Sequence, residues 1–159
     1  MQTLINVGVA QLAVAANPTV IRTILGSCIG ICIYDRNKKI GGMAHILLPQ
    51  APKKIMLEKY ADTAIPFLLE KLYKQGCQKE FMSAKIAGGA AMFKFNSNFT
   101  LAQIGERNIE ISKKVLDLNH IPLLVEDVGG CLGRVIDFFL LDGRLKVRAG
   151  GKEKVYYKV

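Results

Sequence analysis

Short apolar stretches broken by glycine, proline and charged turns dominate the first third of the chain. Residues 3 to 15 are β-prone and stop at Asn17-Pro18, a turn signal, so a strand or extended edge opens the fold. From Thr23 to Pro49 the pattern sharpens. TILGSC leads into IGICIY, the polar DRNKK follows, and IGGMAHILL completes a predicted β-hairpin. Ile29, Ile31 and Ile33 alternate with Cys28, Gly30, Cys32 and Tyr34, which puts the isoleucines on one face of the strand and the cysteines on the other. The isoleucine face is the expected core face.

The periodicity then changes. Residues 56 to 75 carry Tyr60, Ala64, Phe67, Leu68 and Leu72 at helical spacing, with Gly76 as the stop and Pro66 expected to kink or split the element. FMSAKIAGGAAMF reads as a strand running into a Gly88-Gly89 turn. Residues 102 to 118 form a second amphipathic helix through Ile104, Ile111, Val115 and Leu118, closed off by Pro122. The segment PLLVEDVGGCLGRVIDFFLLDGRLKVR reads as strands joined by glycine turns, with Asp142-Gly143 as a hairpin signal. The expected class is α+β, two helices on a mostly antiparallel sheet system, in one domain over residues 1–159.

Composition narrows the class of protein. Of 159 residues, 50% are hydrophobic and 22% charged, enough for a packed core. No apolar run approaches the ~20 residues that span a bilayer, and MQTLINVGVAQ lacks the build of a signal peptide, so a cytoplasmic protein without membrane insertion is expected. The net charge of +9 favours acidic partners, but the basic residues are scattered, Trp is absent and no RNP-like string occurs, so nucleic acid is not expected. Zinc is the first test for the four cysteines. Cys28 and Cys32 form a C-x3-C pair, yet His45, Cys77, His120 and Cys131 supply no second compact pair, so neither a metal nor another cofactor is expected.

Hairpin arithmetic points to other chemistry. A two-residue loop at Arg36-Asn37 sets Asp35 against Lys38, a four-residue loop sets Tyr34 against Lys39, and the register common to both sets Cys28 against His45, with Cβ atoms about 5 Å apart on the face the isoleucines leave free. A loop one residue longer or shorter would send His45 to the opposite face. A thiol beside an imidazole can be activated to attack a carbonyl, with the imidazolium later protonating the leaving group and the thiol pKa expected to be low. Gly26 and Ser27 make a tight turn that can bring backbone N–H groups to a carbonyl oxygen. A third residue should orient His45. Cys32, about 13 Å from Cys28 along an extended strand, is expected to be a packed thiol.

Several ordered strings resemble one family. LGSC at 25 to 28, GGMAHILLP at 41 to 49, Tyr60-Ala61-Asp62, KIAGGAAMF at 85 to 93, IGERN at 104 to 108 and DVGGCLGR at 127 to 134 are similar to the chemoreceptor glutamine deamidases, CheD, over roughly residues 5 to 150. The resemblance implies a cysteine hydrolase that converts glutamine side chains of methyl-accepting chemoreceptor cytoplasmic domains to glutamate, with receptor glutamate methyl esters as a further substrate. It also implies a CheC-type phosphatase as partner, so a non-catalytic module docking on that phosphatase is the alternative. The implied fold is a β-sandwich-like core with helices on its outer faces, resembling the cytotoxic necrotizing factor type cysteine deamidases. Carried over residue by residue, Cys28 is the nucleophile, His45 the base and Thr23 the third member, with Thr19 close by. Ala87 and Cys131 depart from the family pattern, at positions expected to bear on packing and partner contacts.

Overall fold

The β-prone first third resolves into five strands, β1 (Leu4–Asn6), β2 (Gln11–Ala16), β3 (Val20–Leu25), β4 (Ile29–Asp35) and β5 (Ile40–Ile46), in a computed structural model that describes residues 2–92 and 99–159 and, within the second helix, side chains from residue 103 onward. Phe93 of the KIAGGAAMF string lies outside the described residues. The remaining elements are α1 (Ala61–Lys74), β6 (Met82–Gly88), α2 (Phe99–Leu118), β7 (Leu123–Val128), β8 (Arg134–Phe139), β9 (Leu145–Ala149) and β10 (Lys152–Tyr156). Two five-stranded sheets form, one in the order β1-β3-β8-β9-β10 and the other β2-β5-β4-β6-β7. β1 with β3 and β6 with β7 are parallel, and the other neighbours are antiparallel.

β3 and β4 belong to different sheets, so TILGSC does not continue into IGICIY as one strand. The chain crosses between sheets at Gly26, Ser27 and Cys28. The β4–β5 hairpin also turns one residue later than expected. Asp35 lies opposite Ile40 and Gly30 opposite His45, so the register is displaced by two residues from the one that pairs Cys28 with His45. Asp35 is the cause. Its Oδ1 accepts the N–H groups of Asn37 and Lys38, both at 2.9 Å, and its carbonyl accepts that of Lys39, which adopts a left-handed φ of 54°. This builds a four-residue loop. Because side chains alternate with period two, a slip of two leaves every residue on its expected face.

Both faces of β4 are buried, not the isoleucine face alone. Ile29, Ile31 and Ile33 pack with Ile65, Leu68 and Leu72 of α1 and Leu116 of α2. Cys28, Cys32 and Tyr34 pack across the sandwich against Ile21, Leu25, Ile136 and Phe138 of the first sheet. The described parts of both helices therefore cover one outer face, that of the second sheet, and not both.

Three local expectations change. α1 begins at Ala61, after a short 3-10 turn at Leu57–Lys59, and runs through Pro66 unbroken. Pro66 is exposed, so water can take the Asp62 carbonyl it leaves unpaired, while fully buried Ala64, Ile65, Leu68 and Leu72 hold the helix down. In α2, Leu118 is exposed, and the buried stripe runs through Gly105, Asn108, Ser112, Val115 and Leu116. β10 lies beyond the strands that the pattern marks. Gly150 and Gly151, at φ 57° and 73°, turn β9 into it as a two-residue hairpin. Among the described residues no helix is long and apolar enough to cross a membrane.

Candidate active site

Thr23, Cys28 and His45 reach one place from three different parts of the sandwich. Thr23 sits on β3 of the first sheet, His45 on β5 of the second, and Cys28 on the crossing between them. His45 lies opposite Gly30, two residues after Cys28 on the same face, which makes Cys28 and His45 diagonal neighbours, not an opposed pair. No side chain stands opposite the imidazole, because a Cβ at Gly30 would fall 2.8 Å from Ile136 Cδ1.

Hydrogen bonding decides the protonation pattern of the ring. Thr23 Oγ1 donates to the Val7 carbonyl at 2.6 Å and lies 2.7 Å from His45 Nδ1. A hydroxyl has one hydrogen, and Val7 takes it, so Nδ1 carries a proton and donates it to Oγ1. Nε2 is then the bare nitrogen, and it is buried with no partner among the described residues. A bare ring nitrogen of this kind can accept a proton. Thr19 makes no side-chain bond to His45, so the structure brings Thr23, and not Thr19, to the imidazole.

Burial sets the charge state. Desolvation pushes the Cys28 thiol up from its ordinary value, with its own backbone N–H pulling the other way. Desolvation lowers His45, with the Val7 carbonyl opposing. Near neutral pH the pair is therefore a neutral thiol and a neutral imidazole, contrary to the low thiol pKa expected beforehand. Cys32 is a packed thiol, 1% exposed and pushed up to about 12 by burial. All four cysteines are free, and Cys131 is exposed.

The loop over residues 26–28 is held by its carbonyls. Gly26 O accepts from Ala90 N–H at 3.0 Å, Cys28 O from Gly89 N–H at 2.9 Å, and Ser27 O from Asn108 Nδ2 at 3.0 Å. Among the described residues, no backbone carbonyl accepts from the N–H groups of Gly26, Ser27 or Cys28. Gly88 and Gly89, read from sequence as simple turns, thus support this loop. Gly88 has φ 109°, and a Cβ there would collide with the Cys28 carbonyl. Gly41 and Gly42 have a packing role, since Cβ atoms there would run into Leu140 and Leu68. Arg134 ties the DVGGCLGR segment down, donating to Asp127 Oδ1 at 2.8 Å and to the Gly129 carbonyl at 3.0 Å.

Sequence reasoning missed Val7, whose backbone carbonyl leaves no trace in residue type, and Asn108, whose IGERN string was a recognisable signal without an evident role. The assembled site can take a proton from a thiol and present backbone donors to an oxygen, the requirements of acyl transfer.

A family model described as CheD chemotactic sensory transduction matches residues 47–149. A probable chemoreceptor glutamine deamidase CheD of Clostridium novyi is 48% identical, covering 92% of this chain and 93% of the relative. This chain belongs to the CheD family. Other CheD relatives include a probable chemoreceptor glutamine deamidase of Methanococcus maripaludis, 44% identical over 94% of this chain and 97% of its own length. A chemoreceptor glutamine deamidase of Halalkalibacterium halodurans is 46% identical over 93% and 94%. Among solved structures, Neisseria meningitidis protein NMB0706 superposes with a TM-score of 0.44 at 9% identity, covering 82% of this CheD chain and 64% of that one.

Proposed function

We propose that this CheD chain is a chemoreceptor glutamine deamidase, acting through Cys28, His45 and Thr23 on cytoplasmic domains of methyl-accepting receptors. The observation that carries the reading is the Thr23–His45 bond, which leaves Nε2 bare on a residue that is the diagonal neighbour of Cys28. His45 Nε2 takes the thiol proton as Sγ attacks the side-chain carbonyl of a glutamine. The tetrahedral oxyanion is met by N–H groups of the Gly26, Ser27 and Cys28 loop. The imidazolium then protonates the leaving nitrogen, and ammonia departs from a thioester. Water, deprotonated by the same imidazole, cleaves the thioester to glutamate and restores the thiol. A glutamate methyl ester fits the same steps with methanol as the leaving group.

The rest of the reading belongs to the same proposal. The whole chain, residues 1–159, acts in the cytoplasm as one deamidase domain without a cofactor. Its sandwich, with the nucleophile on a crossing between sheets, is akin to the cytotoxic necrotizing factor type deamidases. A CheC-type phosphatase is a regulatory partner, and the intact Cys28, His45 and Thr23 set supports catalysis over docking alone. Mass spectrometry of a receptor cytoplasmic fragment tests the activity. Amide-to-acid conversion at defined glutamines is expected with the wild type and is expected to be lost with Cys28→Ala. Conversion that persists in Cys28→Ala refutes the assignment.

A further inference from the structure

Asn108 lies on α2, is fully buried, and belongs to neither the base nor the nucleophile segment, yet it touches both. Its Nδ2 donates to the Ser27 carbonyl at 3.0 Å and to the Leu47 carbonyl at 3.1 Å. An amide nitrogen has two hydrogens, and here each has one carbonyl. Rotating the amide by half a turn would set Oδ1 against two carbonyl oxygens, so the orientation is determined. The bridge joins the residue before Cys28 to the residue two beyond His45. Gly105 brings α2 close enough for this, since a Cβ there would lie 2.5 Å from the Gly89 carbonyl oxygen.

We propose that Asn108 is a positioning residue that sets the Ser27–Cys28 peptide plane so that the Cys28 N–H faces the oxygen developing negative charge. The assignment rests on the deamidase reading above and names a group that acts through the nucleophile loop. Among the described residues the one cis peptide is Asn17-Pro18, so the Ser27–Cys28 peptide is trans, with its C=O and N–H pointing in opposite directions. With the carbonyl anchored on α2, outside the second sheet, the Cys28 N–H is directed away from the helix, toward the between-sheet side that holds Cys28 and His45. Ser27 O and Cys28 O are then fixed by different partners, Asn108 and Gly89, so the plane before the nucleophile is set independently of the one after it.

The test uses the full chain as wild type, Asn108→Ala, Asn108→Asp and, as a control on the same buried helix face, Ser112→Ala. Ammonia release from a receptor cytoplasmic fragment gives kcat and KM, and alkylation of Cys28 by iodoacetamide reports the thiol in a reaction that builds no oxyanion. Asn108→Ala is expected to lower kcat about 100-fold, the scale of a lost oxyanion donor, with KM and the alkylation rate held within about threefold. Asn108→Asp, which sets a carboxylate against two carbonyls, is expected to lose at least as much, and Ser112→Ala to match the wild type. Unchanged kcat in both Asn108 variants beside an active wild type overturns this assignment alone. Alkylation falling in step with kcat, or failure of both variants to fold, makes Asn108 a general support of the fold and overturns it as well. A wild type that releases no ammonia removes the deamidase reading itself.

Discussion

Replacing Thr23 with valine preserves shape and β-branching while deleting one oxygen, so its effect isolates the bond to His45. In the native site that oxygen serves two groups, the Val7 carbonyl at 2.6 Å and Nδ1–H at 2.7 Å. Thr23 is 3% exposed and His45 2%, so water cannot readily replace it. Each buried group left without a partner costs about 1–3 kcal/mol, giving an expected loss of about 2–6 kcal/mol of stability for the pair. The catalytic effect has a separate origin. Without an acceptor at Nδ1 the ring loses its orientation and can hold its proton on Nε2, the atom that must be bare. Lost orientation worth ~1.4 kcal/mol gives roughly 10-fold in kcat, and adding the tautomer shift brings the expectation toward about 100-fold. Thr23→Ser should recover most of the rate, and Thr19→Ala should leave it unchanged. Ammonia-coupled turnover measures the rate, thermal unfolding the stability, and nitrogen chemical shifts of the His45 ring the tautomer. A folded Thr23→Val with wild-type kcat and unaltered ring shifts would refute the reasoning.

Cys28→Ser should abolish turnover measurably by ammonia assay, whereas Cys32→Ala should retain most of it, because Cys32 packs in the between-sheet core; equal losses would show the two thiols acting together. With His45 depressed below 6.5 and Cys28 raised above 9.0, kcat/KM should be flat across neutral pH. It should fall on the acid side only as pH drops through the depressed imidazole value, and on the alkaline side above 9.0 as the thiol ionises; a pH–rate profile with an acid limb above 6.5 contradicts this. Added salt should lower kcat/KM for an acidic receptor segment, given the net charge of +9, and a titration that leaves it constant would reduce that charge to a solvated surface.

Which parts were legible in the sequence follows from the period of each signal. Cys28 and His45 could be placed on one face because strand alternation tolerates a register error of two, even though the loop built by Asp35 was misjudged. The sheet crossing was hidden, since TILGSC and IGICIY are both β-prone and only Gly26-Ser27 marks the break. Thr23 came from the family resemblance, as a strand threonine announces nothing by itself. The buried side of α2 was read from its isoleucines, Val115 and Leu118, whereas Gly105 and Asn108 face inward because they meet backbone. Hydropathy cannot see a buried amide whose partners are carbonyls.

The groups to which the proposed reaction is assigned are divided between the two halves of the sandwich. Thr23 belongs to one sheet and His45 to the other, and the 2.7 Å contact between them is lost if the sheets separate by little more than an ångström. A nascent chain therefore has no competent base during synthesis. β3 and β5 emerge early, but the strand that flanks β3 on its inner side, β8, comes only after residue 134. Until the sheets dock, the thiol is an ordinary cysteine among the proteins around it. On the proposed mechanism, hydrolytic capacity requires the completed tertiary fold, because the Thr23–His45 contact exists only with the two sheets docked.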